Sequence, residues 1–156
     1  MTVKITESVI IKGKADEIFG MWSDYEEMFP MVIKDIKQIT KLDEMTSRWV
    51  VKGPLGKEYE WTAQVTRFDE DKRIAWKTID GDLKTSGQVT FNNLPHDETE
   101  VTVVMQYVHP SGKAGEVASK ILDDPRNKIV EGLRDFKAYA ENMPERTRRG
   151  KNINKG

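Results

Sequence analysis

Residues 48–65 read Arg48-Trp49-Val50-Val51-Lys52-Gly53-Pro54-Leu55-Gly56-Lys57-Glu58-Tyr59-Glu60-Trp61-Thr62-Ala63-Gln64-Val65. Apolar and polar side chains alternate on either side of Pro54-Leu55-Gly56, and a period of two marks a strand buried on one face. A three-residue loop with Gly56 at positive φ is a common hairpin connection. It places Gly53 opposite Lys57, Lys52 opposite Glu58, Val51 opposite Tyr59 and Trp49 opposite Trp61. The Lys52–Glu58 pair is a favourable cross-strand contact in that register. Arg73-Ile74-Ala75-Trp76-Lys77-Thr78 continues the alternation. A four-residue loop at Asp69–Lys72 sets Val65 opposite Trp76 and Ala63 opposite Thr78. Trp49, Trp61 and Trp76 then share one face, and that aromatic surface must be covered by something.

Carrying the face onward adds Val89 and Phe91, then Val101, Val103, Met105 and Tyr107. The other face holds Arg48, Lys52, Glu58, Glu60, Thr62, Gln64, Arg73, Lys77, Ser86, Gln88, Thr90, Thr102 and Gln106. The sheet is expected to be wet on one side and apolar on the other, as antiparallel sheets commonly are.

Upstream, Val3, Ile5, Val9 and Ile11 alternate with polar residues as an opening strand, ended by Gly13. Ala15, Ile18, Phe19 and Trp22 follow at helical spacing, with Asp16 and Glu17 in the first turn, where the helix dipole favours them. A second short helix starts at Ser23-Asp24, carries Tyr25, Met28 and Phe29, and is expected to close at Pro30. Strands then recur about every ten residues to Phe91, separated by Asp43-Glu44, Pro54-Leu55-Gly56, Asp69-Glu70-Asp71 and Asp80-Gly81-Asp82, a meander pattern. A last strand covers Glu100 to Val108. After His109-Pro110-Ser111-Gly112 the pattern turns helical through Val117, Ile121 and Leu122. Asp124 is placed to cap a segment with Pro125 in its first position. Ile129, Leu133, Phe136 and Ala140 form the stripe of a long helix that faces the sheet. There is no internal repeat.

The chain has 156 residues, a net charge of −1 and no cysteine. The length suits one domain with a real core. The balanced charge gives no global field for nucleic acid or an acidic membrane surface. Without cysteine there are no disulfides, no thiol catalysis and no zinc–cysteine site. The beginning of the chain has no apolar signal core, and no stretch nears the ~18 apolar residues of a membrane span. The expectation is a cytoplasmic monomer. Beyond Met143, Arg146, Arg148, Arg149, Lys151 and Lys155 face only Glu145, without apolar period. This composition predicts a domain over residues 1–142 and a basic, disordered tail over 143–156.

Trp22-Ser23-Asp24-Tyr25-Glu26-Glu27-Met28-Phe29-Pro30, Arg48 through Gly56, Glu60-Trp61, Arg73-Ile74-Ala75-Trp76 and Asp124-Pro125 carry a family likeness. With the element order, they resemble the bacterial polyketide cyclase/dehydrase or coenzyme Q-binding-protein-like branch of the SRPBCC superfamily, across roughly Val3 to Asn142. The resemblance implies the α+β helix-grip fold of START-like domains. In it, a curved antiparallel sheet of six to seven strands wraps around a long C-terminal helix, with two short helices after the first strand. It also implies a cavity between sheet and helix for a small hydrophobic molecule, since relatives bind lipids, sterols and quinones or cyclise polyketides.

On that basis the candidate ligand-binding residues are Trp49, Val51, Tyr59, Trp61, Trp76, Val89, Met105, Tyr107, Leu133 and Phe136. Tyrosine hydroxyls and indole N–H groups can orient one polar end of an apolar guest. The ligand classes are a lipid, an isoprenoid quinone or an aromatic polyketide. No cofactor, metal or nucleic acid is expected. His96 and His109 stand alone in separate loops, far from the clustered ligands that a metal needs. Leu55 at the loop tip is the candidate for a transient membrane contact, and access to the cavity would involve that loop.

An aromatase/cyclase or dehydratase is the alternative, with Tyr59 and Tyr107 as its acid–base groups. Glu58, Glu60 and Arg48 fall on the wet face, which favours binding over catalysis, although Asp35 could supply an inward charge. A third reading uses the tail as a ribosome, RNA or protein contact, without the interleaved aromatics of single-strand binders.

Overall fold

The computed structural model describes residues 2–53, 56–108 and 125–143. Strand β1 (Thr2–Lys12) is followed by helices α1 (Ala15–Ser23) and α2 (Tyr25–Val32). Six strands come next: β2 (Ile36–Lys41), β3 (Thr46–Lys52), β4 (Glu58–Asp69), β5 (Arg73–Gly81), β6 (Thr85–Leu94) and β7 (Glu98–Val108). Helix α3 spans Pro125–Asn142. The strands form one curled antiparallel sheet in the order β1-β7-β6-β5-β4-β3-β2. The first strand thus closes beside the last, and every other neighbour is a hairpin. This is the helix-grip architecture that the family resemblance implies.

The register agrees with the turn-length argument. Lys52 pairs with Glu58, Val51 with Tyr59 and Trp49 with Trp61. Gly56 has φ 76, and the Gly53 N–H donates to the Lys57 carbonyl at 2.7 Å. Val65 pairs with Trp76 and Ala63 with Thr78, by a different route from the one expected. Asp69 pairs with Arg73, so the loop has three residues rather than four, and a bulge at Thr66 supplies the missing residue. The bulge turns Phe68 to the inner face, where its ring meets Phe19 edge-on at 5.3 Å. All three strand tryptophans therefore share the inner face.

Helix α1 begins without a side-chain cap of its own; Asn93 Oδ1 accepts the Ala15 N–H at 3.1 Å instead. Helix α2 does not stop at Pro30 but continues to Val32. The proline removes the N–H that would bond the turn before it. Burial of Met28 and Phe29 offsets that loss, and the Ile33 N–H closes the helix on the Phe29 carbonyl at 2.8 Å.

The core lies under α1, α2 and α3. Ile11, Ile18, Val89, Val101, Phe136 and Ala140 are almost fully buried. Trp22 is its aromatic hub, edge-on to Phe29 at 5.1 Å, Phe91 at 6.0 Å and Phe136 at 5.0 Å. From α3, Leu133, Phe136 and Ala140 are buried and Ile129 is half-buried, matching the expected stripe.

Both sheet edges are guarded, as edges open to pairing must be. Along β1, the Lys12 N–H donates to Glu141 Oε2 at 2.9 Å, Lys137 Nζ donates to the Ile10 carbonyl, and Arg126 pairs with Glu7. Burial opposes ionisation of Glu141, but its hydrogen bond from the Lys12 N–H and its contact with Lys137 hold the carboxyl below its ordinary range. Strand β2 is only six residues long and carries Lys37 and Lys41.

The expected helical turns at Val117, Ile121 and Leu122, the Asp124 cap, His109, Leu55 and the tail beyond Met143 lie outside the described residues.

Candidate functional site

The inner face is filled unevenly. At the end under α1, Ile11, Ile74, Val89, Phe91 and Val101 are all 5% exposed or less. Toward the other end Trp76, Gly87, Met105 and Tyr107 are only half-buried.

The cause lies in β5 and β6. They pair from Arg73–Thr90 to Lys77–Ser86 and then part. Beyond that point β5 stays with β4, where Asp80 pairs with Thr62 and Gly81 with Trp61, with an extra residue at Ile79. β6 instead follows β7, where Thr85 pairs with Tyr107 and Ser86 with Gln106. The Asp80-Gly81 segment, expected as turn, is thus the end of β5. The strands splay around a hollow of about 500 Å³, lined by Lys77, Thr78, Ile79, Asp80, Gly81, Leu83, Lys84, Thr85, Ser86, Gln106 and Tyr107. Its neck is tied where Thr78 Oγ1 accepts the Thr85 N–H at 2.9 Å. Thr78, Thr85 and Tyr107 belong to the inner face, so the hollow opens onto it.

The ten candidate residues fall into three groups. Tyr107 lines the hollow, while Trp76 and Met105 lie half-buried on the same face. Val89, Leu133 and Phe136 are packed into the main core. Val51, Tyr59 and Trp61 form a second cluster with Ala63 and Leu83, and Trp49 packs between the two clusters. Trp49 stacks on Trp61 at 6.1 Å and on Tyr25 at 5.9 Å, with interplanar angles of 15° and 14°.

Ser47 organises that stack. Its Oγ accepts the Trp49 Nε1–H at 2.9 Å, and it also bonds to Tyr25. Burial raises the Tyr25 hydroxyl above its ordinary pKa; the Ser47 bond opposes this and the charge of Glu26 adds to it. Tyr25 is therefore a neutral phenol at physiological pH.

On the outer face, Arg48 Nη1 donates to Thr62 Oγ1 at 2.9 Å and approaches Asp80 at 3.9 Å. Glu58 is held below its ordinary range first by the hydrogen bond from Lys37 at 2.5 Å, then by the charges of Lys37 and Lys52. Asp35 pairs with Lys128 of α3 at 2.9 Å instead of pointing a charge inward.

Sequence reasoning missed Tyr25, Ser47, Leu83 and the threonine pair at the neck. Tyr25 had a signal, since it stands one turn before Phe29 on an aromatic-rich helix. Leu83 had a weaker one, as an apolar residue between charged neighbours in a turn. Its side chain folds back over the second cluster and is 5% exposed.

A second hollow of about 370 Å³ lies at the opposite end of the sheet, against Lys14, Ala15, Asp16, Asp71, Asn93, Leu94 and Asp97. Burial raises the Asp71 carboxyl, and the charges of Glu70 and Asp16 raise it further. Among the described residues, no group of three or more His, Asp or Glu is placed to hold a metal ion. No described helix is long and apolar enough to cross a membrane.

Comparison with known proteins bears on this site. The profile of the family described as polyketide cyclase/dehydrase and lipid transport matches residues 11–134. A 17.2 kDa protein of Streptomyces lincolnensis is 27% identical over 144 residues, covering 92% of this chain and 93% of that protein. A Deinococcus radiodurans structure superposes with a TM-score of 0.68 at 27% identity, covering 89% of this chain and 97% of that one. The Zhui aromatase/cyclase of a Streptomyces species reaches a TM-score of 0.76 at 15% identity, covering 90% and 94%. A START superfamily protein of Mycobacterium smegmatis reaches 0.70 at 18% identity, covering 87% and 97%. At such low identity the last two speak for the fold alone.

Proposed function

The chain belongs to the polyketide cyclase/dehydrase and lipid transport family, and on that premise we propose that it binds a small hydrophobic ligand without covalent chemistry. The ligand would be a lipid, an isoprenoid quinone or an aromatic polyketide, lying on the inner face over Trp76, Met105 and Tyr107. One observation carries the proposal: among the described residues the inner face is buried under α1 and only half-buried beside the hollow where the strands splay.

The driving force is desolvation. Covering about 300 Å² of apolar ligand surface contributes roughly 7 kcal/mol. Association and ordering offset part of that, so apolar burial alone gives an affinity weaker than about 10 μM, and tighter binding requires polar contacts as well. Met105 offers an adaptable wall, and Tyr107 offers a hydroxyl beside an apolar ring.

Solvent extraction and native mass spectrometry of freshly purified protein should recover a bound hydrophobic molecule. Added 1-dodecanol should shift tryptophan emission to the blue as it displaces water from the rings. Preparations that never yield a ligand and never take up dodecanol would overturn the proposal. Family membership leaves cyclase chemistry as the rival at the same place. Tyr59 is only 3% exposed and is not among the residues lining the hollow, so of the two candidate tyrosines Tyr107 is the one within a substrate's reach. Tyr107→Phe should leave most ligand affinity in a carrier and abolish turnover in a tyrosine-dependent cyclase.

A further inference from the structure

Resting on the reading that the inner face holds a hydrophobic guest, we propose that the guest is an anionic amphiphile whose head sits in the β5–β6 notch on Lys77 and Lys84. Its chain then runs inward past Leu83 and Tyr107. The notch draws residues from both faces of the sheet, because the two strands follow different neighbours beyond Lys77 and Ser86. A guest in the notch can therefore touch the aqueous face and the apolar face at once, which suits a molecule with two unlike ends.

Charge decides which polar end fits. The wall carries two lysines and one acid, Asp80. Asp80 turns toward Arg48 Nη1 at 3.9 Å. The neighbouring Asp82 is occupied as well, with its Oδ2 accepting the Glu60 N–H at 3.0 Å. Among the described residues, neither Lys77 nor Lys84 enters an ion pair, and both are exposed. Ammonium groups on long apolar stems are suited to flank a chain while holding an anion at the water boundary.

The opposite end of the sheet is closed to such a head. Asp16, Asp71 and Asp97 outnumber Lys14 there, and on balance a carboxylate or phosphate would be repelled. An anionic head at the lysine end and an apolar tail toward the α1 end is the orientation that the charge distribution favours. The shared chemistry is a single anionic group on an apolar chain, met by a fatty acid or by an acidic phospholipid fragment.

The test compares dodecanoate with 1-dodecanol, which match in chain length and differ in charge, by isothermal titration calorimetry on the full chain. Dodecanol alone tests the hydrophobic site, and the difference between the two probes tests the head site. Wild-type protein should bind dodecanoate several-fold more tightly than dodecanol. Lys77→Gln/Lys84→Gln should weaken dodecanoate by about two- to fivefold per lysine, the scale of exposed charge contacts, and leave dodecanol unchanged. Lys77→Arg/Lys84→Arg should restore dodecanoate binding, and 0.5 M salt should narrow the gap between the probes, as screening requires. Dodecyl phosphate in place of dodecanoate then distinguishes a phosphate head from a carboxylate head. Equal binding of acid and alcohol, with no effect of the lysine variants, overturns the head-site inference and leaves the hydrophobic reading standing. Failure of both probes to bind overturns both.

Discussion

Gly87→Ala should destabilise the domain although it replaces a glycine inside a strand. Gly87 pairs with Met105 on β7 and stands opposite Trp76 on β5. A methyl group there would overlap the Val104 carbonyl oxygen and lie 2.9 Å from Trp76 Cζ2. Glycine at this position lets the indole lie across the strand. Replacing glycine by alanine normally contributes about 0.4–1 kcal/mol by restricting the unfolded chain. Overpacking a close contact costs about 1–3 kcal/mol. The second effect wins by about 1–2 kcal/mol, which for a chain of this length lowers Tm by roughly 2–8 °C.

The Trp76 ring and the β7 backbone, where Met105 Cα also lies at 3.2 Å, both contribute, and a double-mutant cycle separates them. Trp76→Leu removes the ring but not the backbone oxygen of β7. The double variant should recover only about 0.5–1 kcal/mol of the loss. Urea and thermal unfolding followed by far-UV circular dichroism measure all three variants. A neutral or stabilising Gly87→Ala, or no rescue at all by Trp76→Leu, would refute the placement of Trp76 over β6 and, with it, the described shape of the inner face; complete rescue would instead refute the close approach of the Val104 carbonyl.

Phe136→Ala should cost about 3–5 kcal/mol, because the ring is 1% exposed and edge-on to Trp22. Phe136→Leu should cost less than Phe136→Ala, since it keeps part of the buried apolar volume; similar losses for both, read by urea midpoints, would place the ring outside the core. Asp43→Ala should weaken the β2–β3 turn in a pH-dependent way. Asp43 Oδ1 accepts the Met45 and Thr46 N–H groups at 2.8 Å each. The Thr46 hydroxyl first, then the Met45 N–H, hold this carboxyl below its ordinary value. A depressed carboxyl stabilises the fold above its unfolded pKa and loses that contribution as pH falls through the folded value. The stability gap between variant and wild type should accordingly be full at neutral pH and close below the ordinary aspartate range; a gap constant from pH 7 to pH 2.5 contradicts the assignment.

Local chemistry made most of the sheet legible. Turn length and alternation together fix which side chains face inward, so Trp49, Trp61 and Trp76 could be placed on one face before any coordinates. The four-residue turn at Asp69–Lys72 was an error that cancelled itself. The real turn is one residue shorter and Thr66 bulges, so Val65 still meets Trp76 while Phe68 moves to the inner face. A bulge carries no local sign here, since it answers the curvature of the whole sheet. Pro30 was misread for a similar reason: packing of Met28 and Phe29 outweighs a local breaker, and propensity sees only the breaker.

The site was less legible than the fold. Reading the aromatic face as one cavity lining treated Val89, Phe136 and Trp76 as equivalents, because alternation reports which face a residue occupies and not how deeply it is covered. Depth depends on where α1, α2 and α3 cross the sheet, which is a matter of contacts distant in sequence. The parting of β5 from β6 had a trace in Asp80-Gly81-Asp82, yet that trace reads as an ordinary turn. Only the competing pairings of β5 with β4 and of β6 with β7 convert it into an opening.

The uneven burial of the inner face among the described residues also bears on how one small domain would combine a stable core with the proposed site. Rings and aliphatic chains under α1 supply the burial that folding needs: Phe19, Trp22, Phe91 and Phe136 interlock edge-to-face there. Trp76 and Met105 pack against that core while keeping part of their surface exposed, and under the proposed function the exposed part is what a guest would cover. Substitutions at Trp76 or Met105 should therefore move ligand affinity more than they move Tm, whereas substitutions at Phe91 or Phe136 should do the reverse. A sheet that was uniformly packed would couple the two quantities at every inner-face position.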